Sequence, residues 1–208
     1  MGYKVFLFDF DGTVADTFET AFSIWNVLAK EFRFRPLRVE DLEEVRDMNV
    51  RQVMKFLGVP ATRLPSIARR GIVELRTRIP FTEPISGMPE VLRTLLQREM
   101  RLGLLTSNSA ENVQVFCRAH DLELFEFIRT SSRLLGKARE MKSFLRQNRF
   151  AAHEVLYIGD EMRDIEAARD VGMPIAAVMW GYNSPRSLRA LNPDYVIDEP
   201  KGLLELME

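Results

Sequence analysis

Short runs of apolar residues without polar alternation recur along the chain and constrain its fold more than any other feature. The first run, Val5–Phe8, is followed at once by Asp9. Strands without alternation are typical of a parallel sheet that is covered on both faces. Helical patterns lie between the runs, so the sequence predicts an α/β fold with right-handed crossovers. Similar runs occupy residues 102–105, 155–158, 175–179 and 195–197, and a weaker run occupies residues 127–130.

The segment of residues 16–83 interrupts this alternation of strands and helices. Between residues 18 and 32, apolar side chains recur three and four positions apart, which predicts an amphipathic helix. Further helical patterns follow at about residues 40–57 and 61–78, and no strand-like run occurs among them. The segment is therefore predicted to be an all-helical insertion.

The insertion divides the chain into two predicted parts. We expect a catalytic α/β core formed by residues 1–15 and 84–208, and a helical domain formed by residues 16–83. Proline and glycine favour a turn or linker at the point where the chain returns to the core. The residues of this predicted hinge are Pro80, Pro84, Gly87 and Pro89.

Polar side chains follow three of the predicted strands where each strand ends. Asp9 and Asp11 stand two positions apart, so an extended chain points both carboxylates to the same side. The carboxyl ends of parallel strands meet at one edge of a sheet, which is where open α/β sheets bind ligands. Asn108 with Glu111 also fits a capping box for the next helix. The polar residues at this edge are Asp9, Asp11, Thr106, Ser107, Asn108, Asp160 and Asp164.

Carboxylates at one edge of the sheet need a compensating positive charge, because ionising several neighbouring carboxyl groups at short range costs free energy. Mg²⁺ suits such a site, since it is a hard ion that takes oxygen ligands and keeps positions open for water and phosphate. The sequence therefore predicts Mg²⁺ as cofactor, and Lys137 stands between the second and third of these strand ends, at the start of a predicted helix.

Composition and charge argue against several classes of protein. Lys plus Arg is 29 and Asp plus Glu is 30, whereas proteins that bind nucleic acid usually carry a basic excess. The single cysteine, Cys117, can form neither an internal disulfide nor a cysteine zinc cluster and fits a reducing compartment. The apolar run before Asp9 is too short for a signal-peptide core or a membrane span. We expect a cytoplasmic protein that binds neither nucleic acid nor membranes.

Four motifs of the chain together resemble those of the haloacid dehalogenase (HAD) superfamily, specifically its phosphoglycolate phosphatase-like branch. The first is DFDGTVADT at residues 9–17, and the second is the apolar strand that ends in Thr106. Lys137 is similar to the lone lysine of the third motif, and GDEMRD at residues 159–164 matches the fourth. The motifs occur in the family's order. The resemblance implies a Rossmann-like parallel sheet core with an inserted α-helical cap domain over residues 16–83.

The resemblance also implies an activity, a Mg²⁺-dependent phosphatase that acts on small phosphorylated metabolites. Asp9 would attack phosphorus and form an aspartyl-phosphate, while Asp11 would protonate the leaving group and later accept a proton from water. The implied metal ligands are the Asp9 carboxylate, the Asp11 backbone carbonyl and Asp160. Asp164 would be a further ligand or would support one of these ligands by a hydrogen bond from behind it. Thr106 and Lys137 would join the catalytic residues, and the phosphate would be bound by Thr106, Ser107, Asn108 and Lys137.

Other activities remain as alternatives to this interpretation. A dehalogenase of the superfamily normally lacks the acid found here at Asp11, and a phosphonate hydrolase would carry a different residue there. A phosphomutase acting on sugar phosphates would use a cap histidine, which residues 16–83 lack. A catalytically silent phosphometabolite-binding protein would normally have lost a motif acid. The physiological substrate and the choice between monomer and homodimer stay open, and Arg46 and Arg51 are candidates for substrate selection.

Overall fold

The structure, a computed structural model, describes residues 2–130 and 136–207. Six strands form one sheet, and every neighbouring pair in it is parallel. They are β1 (Val5–Phe8), β2 (Arg101–Thr106), β3 (Phe127–Thr130), β4 (Val155–Gly159), β5 (Ile175–Val178) and β6 (Tyr195–Ile197). The strand order is β3-β2-β1-β4-β5-β6, which places β1 in the interior of the sheet. The predicted α/β fold with a parallel sheet is confirmed.

The central strand explains why its sequence lacks alternation. Val5 and Leu7 pack into one apolar cluster, whereas Phe6 and Phe8 pack into another on the opposite face. All four side chains are fully buried. Because both faces of β1 are covered, both sets of side chains must be apolar.

Helices cover the two faces of the sheet. α5 (Met88–Gln97) and α6 (Ala110–Ala119) contribute to the cluster around Phe8. The cluster around Leu7 takes in α7 (Lys137–Asn148), α8 (Met162–Val171) and α9 (Pro185–Ala190). Within residues 2–130 and 136–207, no helix has the length and apolar character needed to cross a bilayer.

The segment of residues 16–83, all of which the structure describes, contains helices and no strand. Its α-helices pack their apolar sides into a third cluster of their own. The helical pattern at residues 40–57 forms two helices separated at residues 46–49, where Asn183 donates hydrogen bonds to the backbone carbonyls of Arg46 and Met48. The helices are α1 (Phe18–Phe32), α2 (Leu42–Val45), α3 (Val50–Phe56) and α4 (Leu64–Arg76).

The two connections between this segment and the sheet run side by side. Ala15 and Pro84 form an antiparallel bridge. The backbone N–H of Asp16 donates to the carbonyl of Glu83 at 2.9 Å, and that of Ile85 donates to the carbonyl of Val14 at 2.9 Å. The chain therefore leaves and re-enters the sheet region at one place, close to β1.

Replacing Gly71 in the middle of α4 with Ala is expected to raise the free energy of unfolding by about 0.5–1 kcal/mol, since glycine weakens a helix interior. A Cβ at this position would meet Leu28 at 3.5 Å, an ordinary contact. Gly58→Ala is the matched control, because Gly58 has a φ of 68° and alanine there should lower stability by about 1 kcal/mol. Urea unfolding midpoints measure both changes, and a midpoint of Gly71→Ala below that of the natural chain would contradict the prediction.

Candidate active site

Three buried carboxylates converge where β1 and β4, neighbouring strands of the sheet, come to an end. Asp9 follows β1, Asp160 follows β4, and Asp164 lies in the first turn of α8. One carboxylate oxygen of each residue lies within 4.8 Å of the others. Asp160 and Asp164 are completely buried and Asp9 is 2% exposed, so water screens their mutual repulsion poorly.

Lys137 bridges two of these carboxylates. It is the first residue of α7, and its Nζ donates to Asp9 Oδ2 at 2.5 Å and also to Asp164 Oδ1. The other oxygens of the two carboxylates accept backbone N–H groups, from Phe10 at 2.8 Å and from Glu161 at 3.1 Å. Burial lowers the pKa of Lys137, but the charges of Asp164 and Asp9 outweigh this effect and raise it overall. Lys137 is thus a buried cation aimed at Asp9.

The three carboxylates carry more negative charge than this lysine offsets. Burial raises the pKa of Asp160 well above its usual value, and the charges of Glu161 and Asp9 raise it further. Burial also raises the pKa of Asp164 to about 6, although Lys137 opposes the shift. An added divalent cation would relieve this repulsion, and carboxylate oxygens are ligands that such cations prefer. Asp9, Asp160 and Asp164 could therefore hold a divalent metal ion.

Asp11 stands beside this group and faces a cavity. The side-chain amide of Asn108 donates to both carboxylate oxygens of Asp11, in each case at 3.1 Å. Burial and the charge of Asp9 raise the pKa of Asp11 to about 7, and the Asn108 contact opposes only part of the shift. A carboxyl group with a pKa near neutrality can both give and take a proton at physiological pH.

The end of β2 brings the remaining predicted residues to the same edge. Thr106 is buried, and its hydroxyl accepts the backbone N–H of Asn108 at 3.0 Å. Ser107 is half-buried and lines the same cavity as Asp11. The structure thus gathers every residue that the sequence placed at this site along the ends of β1, β2 and β4 and the start of α7 and α8.

The expected helix cap at Asn108 is wrong. The residue that caps α6 is Ser109, whose side chain accepts the backbone N–H of Asn112 at 3.1 Å. The amide of Asn108 points to Asp11 instead, and its Oδ1 accepts from Ser109 and Asn112. A long-range contact with a carboxylate has displaced the local pairing with Glu111 that the spacing suggests.

Sequence reasoning missed the residues that orient Asp160. The Thr13 hydroxyl donates to Asp160 Oδ1 at 2.6 Å, and the backbone N–H of Tyr182 donates to Oδ2 at 2.7 Å. Gly12 has a φ of 76°, and any side chain there would clash with Asp160 and with the ring of Tyr182. A signal for Tyr182 did exist, because a polar stretch follows the apolar run at 175–179 just as polar stretches follow the other strands.

The connection between α2 and α3 contacts the loop that contains Tyr182. Arg46 donates from Nε to the carbonyl of Tyr182 at 3.1 Å and from Nη2 to the carbonyl of Gly181 at 2.8 Å. Asn183 donates back to the carbonyl of Arg46 at 2.8 Å. Of the two arginines singled out in the insertion, Arg46 therefore lies at the site, whereas Arg51 is exposed to solvent.

A comparison with protein families agrees with this arrangement of fold and carboxylates. The family model of haloacid dehalogenase-like hydrolases matches residues 6–178, from β1 to the end of β5. The chain belongs to the haloacid dehalogenase-like hydrolase family. The matched range includes both strand ends that carry the buried carboxylates, and the predicted family resemblance is confirmed.

Relatives of this haloacid dehalogenase-like hydrolase include named phosphatases. Phosphoglycolate phosphatase of Synechococcus elongatus is 32% identical over 203 residues, which cover 97% of this chain and 96% of that protein. N-acetylmuramic acid 6-phosphate phosphatase of Pseudomonas aeruginosa is 23% identical over 217 residues, covering 100% of this chain and 96% of that protein. A solved haloacid dehalogenase-like hydrolase from Streptococcus pneumoniae superimposes with a TM-score of 0.83 at 18% identity, covering 99% of both chains, and shows the shared fold.

The family and these relatives identify the haloacid dehalogenase-like chain as an enzyme and as a phosphatase, which confirms the predicted enzyme class. Phosphatases of this family generally use a divalent metal ion. The buried group of Asp9, Asp160 and Asp164 supplies oxygen ligands of the type that such an ion takes.

Proposed function

We propose that the protein is a Mg²⁺-dependent phosphatase that hydrolyses small phosphomonoesters, phosphoglycolate among them, through an aspartyl-phosphate on Asp9. The observation that carries the proposal is the 2.5 Å contact between the buried Asp9 carboxylate and the buried Lys137 ammonium. A carboxylate held in this way is oriented for attack, and the cation can offset the charge of an incoming phosphoryl group. Phosphoglycolate is the first compound to test because it names the Synechococcus relative.

The reaction proceeds in two displacements at phosphorus. In the first, a carboxylate oxygen of Asp9 attacks, the ester P–O bond breaks, and Asp11 protonates the leaving oxygen so that an alcohol departs. In the second, water attacks phosphorus, the Asp11 carboxylate takes a proton from it, and the bond between Asp9 and phosphorus breaks to release phosphate. The pKa of Asp11, about 7, suits a group that must serve as acid and then as base.

Residues at the end of β2 and at the start of α7 are assigned to binding the phosphoryl oxygens. Lys137 stays beside Asp9 and offsets negative charge on these oxygens. Thr106 accepts the N–H of Asn108, and a hydroxyl that accepts one hydrogen bond still has a hydrogen to donate to phosphate. Ser107 and Asn108 are the remaining residues proposed to bind the phosphoryl oxygens, because their polar groups face the same edge of the sheet.

The residues present fit Mg²⁺. The ion would be held by the carboxylates of Asp9 and Asp160 and by the backbone carbonyl of Asp11. When bound, it supplies positive charge that stabilises the phosphoryl group during transfer. Asp164, whose oxygens accept hydrogen bonds from Lys137 and from the Glu161 N–H, would be a further ligand or would support the direct ligands from behind.

The proposal also covers the domain organisation of the chain, its cellular location and its oligomeric state. Residues 1–15 and 84–208 form the catalytic core, and residues 16–83 form a cap whose own apolar cluster and adjoining connections support its treatment as a unit. We propose a cytoplasmic location, which the single, buried thiol of Cys117 supports, and a monomer or homodimer. Light scattering of the purified chain distinguishes the two oligomeric states.

The covalent step and the substrate class can be tested together. Phosphate release is measured from phosphoglycolate and a panel of phosphorylated metabolites, with Mg²⁺ and with chelator. Rapid acid quenching followed by peptide mass spectrometry should find one phosphoryl group on the peptide that contains Asp9. Release of phosphate from none of the esters, or a phosphoryl group on another residue, would contradict the proposal.

Metal binding is expected to stabilise the fold, because the added charge relieves the repulsion among buried carboxylates. At Mg²⁺ concentrations near one hundred times the dissociation constant, the gain is about 2.7 kcal/mol. For a chain of this size, such a gain raises Tm by roughly 5–10 °C over the chelated protein. Thermal unfolding measures the shift. Asp160→Asn should abolish it and Asp170→Asn, an exposed position on α8, should retain it; a shift that survives Asp160→Asn would place the metal elsewhere.

A further inference from the structure

A cavity of about 330 Å³ leads from the active site into the helical cap. At the site it is lined by Asp11, Ser107, Asn108 and Tyr182, and at its far end it runs between α1, α2, α3 and α4. Pockets that hold small organic ligands typically measure about 300–1,000 Å³. The cavity therefore has room for an organic group much larger than the two carbons of glycolate.

Asp11 determines which part of a substrate enters this cavity. The phosphorus atom must meet Asp9, whereas Asp11 must reach the leaving oxygen that it protonates. Asp11 lines the cavity. The organic group attached to that oxygen must therefore extend past Asp11 towards the cap helices.

The far wall of the cavity is apolar. Phe22 and Trp25 of α1, Val45 of α2, Val53 of α3 and Ile72 of α4 all line it, and each keeps part of its surface exposed. Apolar surface of this kind gains free energy when it contacts another apolar group in place of water. A hydrocarbon chain or ring meets this requirement, and a charged group does not.

The positive side chains among the described residues that line the cavity already have partners. Arg46 donates to the carbonyls of Tyr182 and Gly181 at 3.1 and 2.8 Å. Arg163 donates from Nε to the carboxylate of Glu161 at 2.9 Å. Both arginines are held at the active-site end of the cavity, by the loop of Tyr182 and by Glu161, so a carboxylate that extends to the far apolar wall would lie unpaired there, which is costly.

We infer that this cavity is the leaving-group site and that it selects, among phosphomonoesters, those whose leaving group is an uncharged apolar chain or ring of several carbons. The inference rests on the proposed function and narrows its substrate class. Phosphoglycolate is then a weaker substrate than an alkyl phosphate whose chain reaches the apolar wall.

Binding of alkylphosphonates tests the site without requiring turnover. Ethyl-, butyl- and hexylphosphonate are titrated calorimetrically into the full chain with Mg²⁺ present. Each buried methylene is expected to lower Kd by about fourfold, so the four methylenes that separate ethyl- from hexylphosphonate should lower it by roughly 250-fold if all are buried. 3-Phosphonopropionate, which ends in a carboxylate, should bind more weakly than butylphosphonate. A Kd that is independent of chain length, or tighter binding of 3-phosphonopropionate, would overturn the inference.

A variant that fills the cavity localises the effect. Ala21 of α1 lines the cavity, and Ala21→Met should raise the Kd of hexylphosphonate by roughly tenfold while leaving ethylphosphonate nearly unchanged. Ala61→Met is the matched control, because Ala61 is an exposed cap residue, and neither Kd should change. Equal weakening of both ligands by Ala21→Met, or no change for hexylphosphonate, would place the apolar chain outside the cavity.

Hydrolysis of ethyl, butyl and hexyl phosphate separates this inference from the proposed function. The three alcohols leave with nearly equal ease, so differences in kcat/KM report binding of the chain. A rise in kcat/KM with length supports both claims. Equal hydrolysis of all three supports the phosphatase and overturns the apolar site. Length-dependent phosphonate binding without hydrolysis of any ester supports the site and contradicts the phosphatase mechanism.

Discussion

The Asp9→Asn variant is expected to lose kcat by on the order of 10⁴–10⁶-fold, the scale on which enzymes with covalent catalysis lose activity when the nucleophile is removed. An amide cannot form the aspartyl-phosphate through which we propose the reaction runs. The replacement has nearly the same shape, and its oxygen can still accept the backbone N–H of Phe10, which donates to Asp9 at 2.8 Å. Phosphate release under saturating substrate measures the loss.

Two controls distinguish loss of the nucleophile from loss of the folded structure. Asp16→Asn changes an exposed aspartate of the same motif and should keep full turnover. Circular dichroism should show that Asp9→Asn retains the folded structure, and acid-quenched protein should carry no phosphoryl group. An Asp9→Asn enzyme with turnover close to that of the natural chain would remove covalent catalysis at this residue from the proposal.

The Asp11→Asn variant is expected to lower kcat by about 10²–10⁴-fold on an alkyl phosphate, the usual contribution of a general acid–base group. The change removes the proton that Asp11 exchanges but keeps its backbone carbonyl, which we propose as the metal ligand at this position. The Asn108 amide, 3.1 Å from both oxygens of Asp11, can still donate to the new side-chain oxygen. The rise in Tm on addition of Mg²⁺ should therefore survive.

The leaving group distinguishes an acid from a merely structural residue. A nitrophenolate departs without protonation, so the Asp11→Asn defect should be clearly smaller on a nitrophenyl phosphate than on an alkyl phosphate. Steady-state kinetics of both substrates with both proteins provides the comparison. Defects of equal size on the two substrates would contradict the assignment of Asp11 as the acid.

The strands could be predicted from sequence because burial on both faces leaves a purely local signature. β1, β3 and β6 match the predicted runs to the residue, whereas β2 is longer by one residue at each end. β3 gave the weakest signal because its residues alternate between half-buried and exposed. The amphipathic pattern of α1 was equally local.

The connection between α2 and α3 combines a local signal with long-range contacts. Asn49 caps α3 and pairs with Gln52 three positions further on, which is a capping box. The helical pattern of residues 40–57 accordingly forms two helices, α2 and α3. There the carbonyl of Arg46 accepts hydrogen bonds from Asn183 and from the backbone N–H of Ser184. These partners lie more than a hundred residues further along the chain, so the docking of this connection against the loop of Tyr182 depends on two distant segments.

The sequence by itself determined the chemical groups of the site and the sheet edge on which they stand, because parallel strands place every carboxyl end on one side. Only the tertiary structure decided which groups meet. Lys137 reaches Asp9 across 128 positions and Thr13 reaches Asp160 across 147, through contacts that exist only once the strands are paired. The cavity that faces Asp11 is likewise the space left by four packed helices, and its size and apolar wall arise from their packing rather than from any one segment.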